Sequence, residues 1–151
     1  MKGGNIETYV SQICGFRKWT YSKDSGGYMT VGVNVQDGGT HNVTIMRRLD
    51  MNGTISVLFF CDLGPADKAV NAAEVLRDNG YMNHGAFAIW GDRFIVMDTQ
   101  LEEAADIEEV AAAMFHLANY ADRLEKKKLA ATVPTNIGTI LGGPKPDGKP
   151  L

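Results

Sequence analysis

The stretch Gly85-Ala86-Phe87-Ala88-Ile89-Trp90-Gly91-Asp92-Arg93-Phe94-Ile95-Val96-Met97-Asp98 decides the fold. Two apolar runs, 86–90 and 93–98, flank Gly91-Asp92, and a two-residue loop that opens on glycine is the mark of a type II′ hairpin. That register sets Trp90 opposite Arg93 and Phe87 opposite Val96. Successive strand residues point to opposite faces. Phe87, Ile89, Phe94 and Val96 therefore share one face, and Ala88, Trp90, Ile95 and Met97 share the other.

On the C-terminal side, Asp106-x-x-Glu109 has the form of a capping box, and Ile107, Val110, Ala111, Met114, Leu117, Ala118, Ala121 and Leu124 follow as one apolar stripe. The spacing predicts a helix of about 22 residues. Its charges suit the helix dipole, with Asp106, Glu108 and Glu109 at the start and Arg123, Lys126, Lys127 and Lys128 at the end. On the N-terminal side, Ala69, Val70, Ala73, Leu76 and Arg77 keep helical rhythm over 66–78, and Asn79-Gly80 supplies a stop. Before that helix lie strands over 28–36, where Met29, Val31, Val33 and Val35 alternate, then 42–49 and 54–61, joined by Asp37-Gly38-Gly39 and Asp50-Met51-Asn52-Gly53. A short strand is expected within 16–22. Ile6, Tyr9, Val10 and Ile13 predict a first helix, capped by Asn5 and stopped at Gly15. The order α-βββ-α-ββ-α predicts an α+β fold, an antiparallel sheet of five to six strands (a three-stranded meander plus the hairpin) with helices packed on it. One domain is expected over 1–129. Pro134, Pro144, Pro146 and Pro150 mark 130–151 as a Gly/Pro-rich tail with Ile137, Ile140 and Leu141 as apolar anchors.

At 151 residues, with 44% hydrophobic and 22% charged residues, the chain has the make-up of one globular domain, which excludes a disordered segment or a collagen-like fibre. A net charge of -3 argues against nucleic acid as the partner, because phosphate-backbone binding needs concentrated Lys and Arg. The longest apolar run, 57–61, falls far short of the roughly 20 residues that cross a bilayer, so no membrane is expected. Polar residues from Glu7 to Gln12 interrupt any export signal, and Cys14 and Cys61 form no C-x-x-C, which fits two reduced thiols in the cytoplasm.

Features that resemble sites have plainer readings. Lys23-Asp24-Ser25-Gly26-Gly27 looks like the nucleophile segment of trypsin-like proteases, but no histidine precedes Ser25, so a hairpin turn is expected. His41, His84 and His116 have no metal-ligand spacing and are expected as solvated or loop residues, with His116 on the polar side of the last helix. The acids Asp98, Glu102, Glu103, Asp106, Glu108 and Glu109 lack the calcium-loop pattern and read as a solvated loop and helix start. No catalytic residue, cofactor or metal site is expected.

Both sheet faces are apolar, since Leu58 and Phe60 oppose Ile55, Val57, Phe59 and Cys61 just as the hairpin residues oppose one another. A single-layer antiparallel sheet ordinarily keeps one wet face, so either helices cover both sides or one face meets another chain. The run Leu76-Arg77-Asp78-Asn79, then Gly85-Ala86-Phe87-Ala88-Ile89, a hairpin, Leu101, and a helix carrying Phe115-His116-Leu117-Ala118-Asn119-Tyr120-Ala121-Asp122 resembles the YbjN family. That family is described as bacterial sensory transduction regulators with the fold of type III secretion chaperones. The resemblance is best over 66–129 and implies a cytoplasmic bacterial homodimer that holds a polypeptide partner and has no catalytic residues to carry over. The expected function is therefore a non-enzymatic, chaperone-like or regulatory binding module, with Leu58, Phe60, Trp90, Ile95 and Met97 as partner-binding residues. The alternatives are a profilin- or roadblock-like scaffold or sensory module, and a small hydrolase. A deep pocket joining His41 or His84 to a carboxylate would favour the hydrolase.

Overall fold

A computed structural model describes residues 5–66 and 72–130. The sheet is built from one repeated local solution. Asp24 to Tyr28, Val35 to Gly39 and Asp50 to Thr54 each close with the same pair of main-chain bonds: the first residue accepts from the fourth, at 3.1 Å, and donates to the fifth, at 2.9 Å. The fourth residue is glycine each time (Gly27, Gly38, Gly53) with φ between 79 and 89°, the left-handed position that closes a three-residue hairpin loop. In the first and third loops an aspartate starts the turn, and the Asp24 and Asp50 side chains accept main-chain N–H groups two and four residues on.

These loops join β1 (Thr20–Lys23), β2 (Met29–Asn34), β3 (Thr40–Leu49) and β4 (Ile55–Pro65) into a meander. The hairpin of β5 (Ala86–Trp90) and β6 (Arg93–Leu101) completes a six-stranded antiparallel sheet in the order β1-β2-β3-β4-β6-β5. The hairpin register is the expected one, Trp90 against Arg93 and Phe87 against Val96, and Gly91 has φ 61° as a type II′ turn requires. The short strand expected over 16–22 is present as Thr20–Lys23, shifted because Phe16 and Arg17 belong to the preceding helix.

Helix α1 (Ile6–Arg17) and helix α3 (Ile107–Ala130) pack on one face of the sheet. Val110, Ala113, Met114, Leu117, Ala118, Ala121 and Leu124 of α3 meet Val31, Val43, Val57, Phe59, Phe94 and Val96 in a continuous core. Its start is the expected cap, with Asp106 Oδ1 accepting from Glu109 N at 2.9 Å. Helix α1 has the Asn5 cap but passes through Gly15 and stops at Lys18, which adopts φ 59°. The longer helix brings Trp19 back under the sheet, where it is buried beside Arg17.

Helix α2 (Ala72–Asn79) stops at Asn79 as expected, and residues 67–71 of the anticipated helix lie outside the described residues, as does the tail from 131 onward. Leu76, expected in the helical rhythm, is 68% exposed. The helix matters most through Asn79, whose side chain accepts from Phe87 N at 2.7 Å and donates to Phe87 O at 3.0 Å. An asparagine thus stands in for a neighbouring strand and blunts the outer edge of β5. Gly85 then turns the chain into β5 at φ 71°, with Met97 O and the Leu117 side chain occupying the space a Cβ would need.

Two alanine substitutions test these local accounts. Gly15→Ala, in open space inside a helix, should raise stability by about 0.5–1 kcal/mol in urea unfolding. Gly85→Ala should lower it by about 2 kcal/mol or more, through both backbone strain and overpacking.

Candidate functional site

The sheet face opposite α1 and α3 has two halves. Across β2 and β3 it presents Thr30, Asn34, Thr40, Asn42 and Thr44. Across β4, β6 and β5 it turns apolar: Phe60 pairs with Met97, Met97 with Ala86, and Ile95 with Ala88. Leu58, Phe60, Trp90, Ile95 and Met97 lie together here, on the face where the alternation of the strands puts them. Leu58 and Ile95 are 1 and 2% exposed and stand outside the core under the helices, so, contrary to the expectation of an exposed partner surface, these two are closed to solvent. Phe60 and Met97 are half-buried, and Trp90, edge-on to Phe60 at 5.6 Å between ring centres, is 45% exposed.

A second feature lies where the sheet parts. The β3·β4 ladder runs from Leu49 opposite Ile55 to Thr44 opposite Phe60 and ends there. Beyond it, Thr40 to Asn42 stay with β2 while β4 follows β6 through a bulge between Asp62 and Gly64. The bulge adds a residue to one strand and bends it away. The opening is a cleft of about 580 Å³ lined by Thr40, Asn42, Leu63, Ala121, Leu124 and Glu125, with His41, Cys61 and Asp62 among its other walls.

Alternation in an antiparallel ladder shows where the main chain points here. Val35 bonds Gly39, so in the same register Val33 and His41 exchange bonds, and the N–H and C=O groups of Thr40 and Asn42 turn away from β2 toward the cleft. The Asp50 N to Thr54 O bond at the other end of β3 gives the same phase, with Thr44 bonded toward Phe60.

At the α3 side of the cleft, His41 Nε2 lies 3.0 Å from Asp122 Oδ1 and 3.5 Å from Glu125 Oε2, and Lys126 Nζ bridges Asp122 at 3.0 Å and Asp37 at 2.8 Å. Burial would raise the Asp122 carboxyl, but hydrogen bonds and charge from Lys126 and His41 hold it below the usual carboxylate range. This network ties the β2–β3 turn to the end of α3. It also supplies the pocket with histidine and carboxylate that the hydrolase reading asked for. The thiol on its wall, Cys61, is buried and pushed up to about 12, which keeps it protonated and unreactive near neutral pH.

His84 lies in the loop before β5 as expected, but none of the three histidines is fully solvated. His84 and His116 stack at 4.1 Å between ring centres, nearly parallel at 9°, and both are half-buried. Stacked imidazoles aim their in-plane lone pairs along parallel planes, so this pair does not converge on one ion. The acidic stretch is divided between tasks: Glu102 takes Arg47 in a two-pronged pair at 2.7 and 2.8 Å, and Asp106 caps α3. Among the described residues, no group of three or more His, Cys, Asp or Glu side chains is placed to hold a metal. Ser25 sits in its expected turn, under the Asp24 carboxylate.

The cleft is what sequence reading missed. Its one local signal was Asp62-Leu63-Gly64-Pro65, where glycine and proline end a run of strand residues. A scan of the chain against models of known protein families and a search of curated proteins both find no match.

Burial, and then the neighbouring His84, lowers the His116 pKa below 6.5. The unfolded chain therefore takes up a proton first as pH falls, and the stability present above pH 6.5 is lost as pH drops through the lowered folded value. Urea midpoints at about pH 7.5 and about pH 5.5 should show this loss, and His116→Phe, which keeps a ring on His84, should shrink it.

Proposed function

We propose that the protein is a non-enzymatic, chaperone-like or regulatory module that holds a polypeptide partner on the apolar half of its open sheet face and works as a homodimer in the cytoplasm. The observation that supports this is the patch itself. Phe60, Met97 and the exposed Trp90 stand beside the buried Leu58 and Ile95, on the face opposite α1 and α3. Large aromatic and methionine side chains are the composition of an interface centre. Methionine adapts to irregular partners, and Trp90 offers a large contact area with few torsions to freeze. The resemblance to the YbjN family favours the same reading. Among the described residues no helix is long and apolar enough to cross a membrane.

A scaffold of the profilin or roadblock kind would instead assemble through a shared sheet edge or a helix pair. The Asn79 bonds to Phe87 blunt the β5 edge at its centre, which favours the face over that edge.

Trp90 can report on the face directly. The chain has two tryptophans, and Trp19 is buried, so Trp19→Phe leaves Trp90 as the emitting probe. Titration with a permanently unfolded polypeptide, reduced and carboxymethylated lactalbumin, should shift Trp90 emission to the blue, and Met97→Asp should weaken binding about tenfold or more. Unchanged emission at saturating polypeptide would overturn the reading.

A further inference from the structure

The cleft between β3 and β4 is chemically unlike the apolar patch. Its β3 wall offers main-chain groups. The N–H and C=O of Thr40 and of Asn42 face the opening, and the β3·β4 ladder that would pair them stops at Thr44. On the opposite wall, the bulge carries Asp62 and Leu63 out of register with β3. A strand that lies along Thr40 to Asn42 would continue the ladder. Its side chains would then alternate between the two sides of the sheet plane. On the helix side they would meet the half-buried Leu63, with Ala121 and Leu124 buried behind it; on the other they would meet Thr40, Asn42, Thr44 and Asp62. The cleft thus asks for a segment in which small apolar and polar residues alternate.

Charge adds a second selection. Asp62 is engaged by Arg93 at 2.8 Å and Asp122 by Lys126 at 3.0 Å. Glu125, 62% exposed on its side chain, faces the His41 imidazole at 3.5 Å, a partner that is cationic only when protonated. At neutral pH its carboxylate is available to an incoming ammonium or guanidinium group.

We propose that this cleft takes an extended polypeptide segment by strand addition to the Thr40 and Asn42 edge, with a lysine or arginine of the segment beside Glu125. The inference rests on the polypeptide-binding reading and deepens it, because it assigns a second place and a different mode: main-chain pairing in the cleft, apolar contact on the patch. An extended segment that spans both would gain from the linkage.

The probe is the capped hexapeptide acetyl-Lys-Thr-Val-Thr-Val-Lys-amide, added to the isotope-labelled full chain and followed by amide resonances. Binding should perturb the Thr40 and Asn42 amides and slow their exchange. The same peptide with its threonine nitrogens methylated keeps the side chains, loses the two donors that the antiparallel register sets against Thr40 and Asn42, and should bind about tenfold more weakly. Glu125→Gln should weaken binding about two- to fivefold, an effect that salt removes. Met97→Asp, on the patch, should leave this binding unchanged, so failure here and failure of the patch are separable. Equal binding of the methylated peptide, perturbation confined to Phe60, Met97 and Trp90, or Thr40 and Asn42 amides already protected in the peptide-free chain would each overturn the proposal.

Discussion

The packing of α3 on a sheet wider than the helix can cover governs the rest of the molecule. Val110, Ala113, Met114, Leu117, Ala118, Ala121 and Leu124 are all at most 3% exposed, and their helix packs on β2, β3, β4 and β6. Twenty-four residues make a rod about 36 Å long. One such rod, with α1 beside it, can dry one face of six strands and no more. The rest of the surface follows from this one-sided burial. The second face keeps an apolar half, and beside the end of α3 β3 and β4 part into a cleft.

Much of this is legible in residue order because it is local. Alternating residues in β2, β4 and the hairpin, the Gly91-Asp92 turn and the Asp106 cap act within a few positions of themselves, and each stands where the sequence puts it. The recurrent three-residue hairpin loop is of the same kind, since each carries glycine at the position that must take positive φ. The end of α1 is not. Gly15 is a good local stop, but burial of Trp19 outweighs it and the helix runs on to Arg17.

The candidate sites divide in the same way. The alternation that defines strand faces groups Leu58, Phe60, Trp90, Ile95 and Met97, although it does not say that Leu58 and Ile95 are closed to solvent. The cleft depends on two strands that separate beyond Thr44 and on Asp122, 81 positions from His41 along the chain. Nothing in the spacing of His41 announces that contact. The same is true of the stack between His84 and His116, which residue types alone place on a loop and on a polar helix face. Long-range pairings of this sort come from topology.

The two surfaces differ in chemistry. The patch offers area and polarizable side chains but little direction; the cleft offers directed main-chain groups and one available carboxylate. A polypeptide held by both would be selected for alternation in one segment and for bulk apolar residues in another. That combination suits a module whose partners are recognised in an extended state. The central proposal is that the apolar half of the open face meets another polypeptide; in the isolated protein a second copy would take that place until a partner displaces it. Light-scattering mass measured across concentration for the full chain and for Met97→Asp tests it most directly. The account predicts a mass near twice 16.4 kDa that falls to the single-chain value in the variant; a single-chain mass for both at every concentration would contradict it.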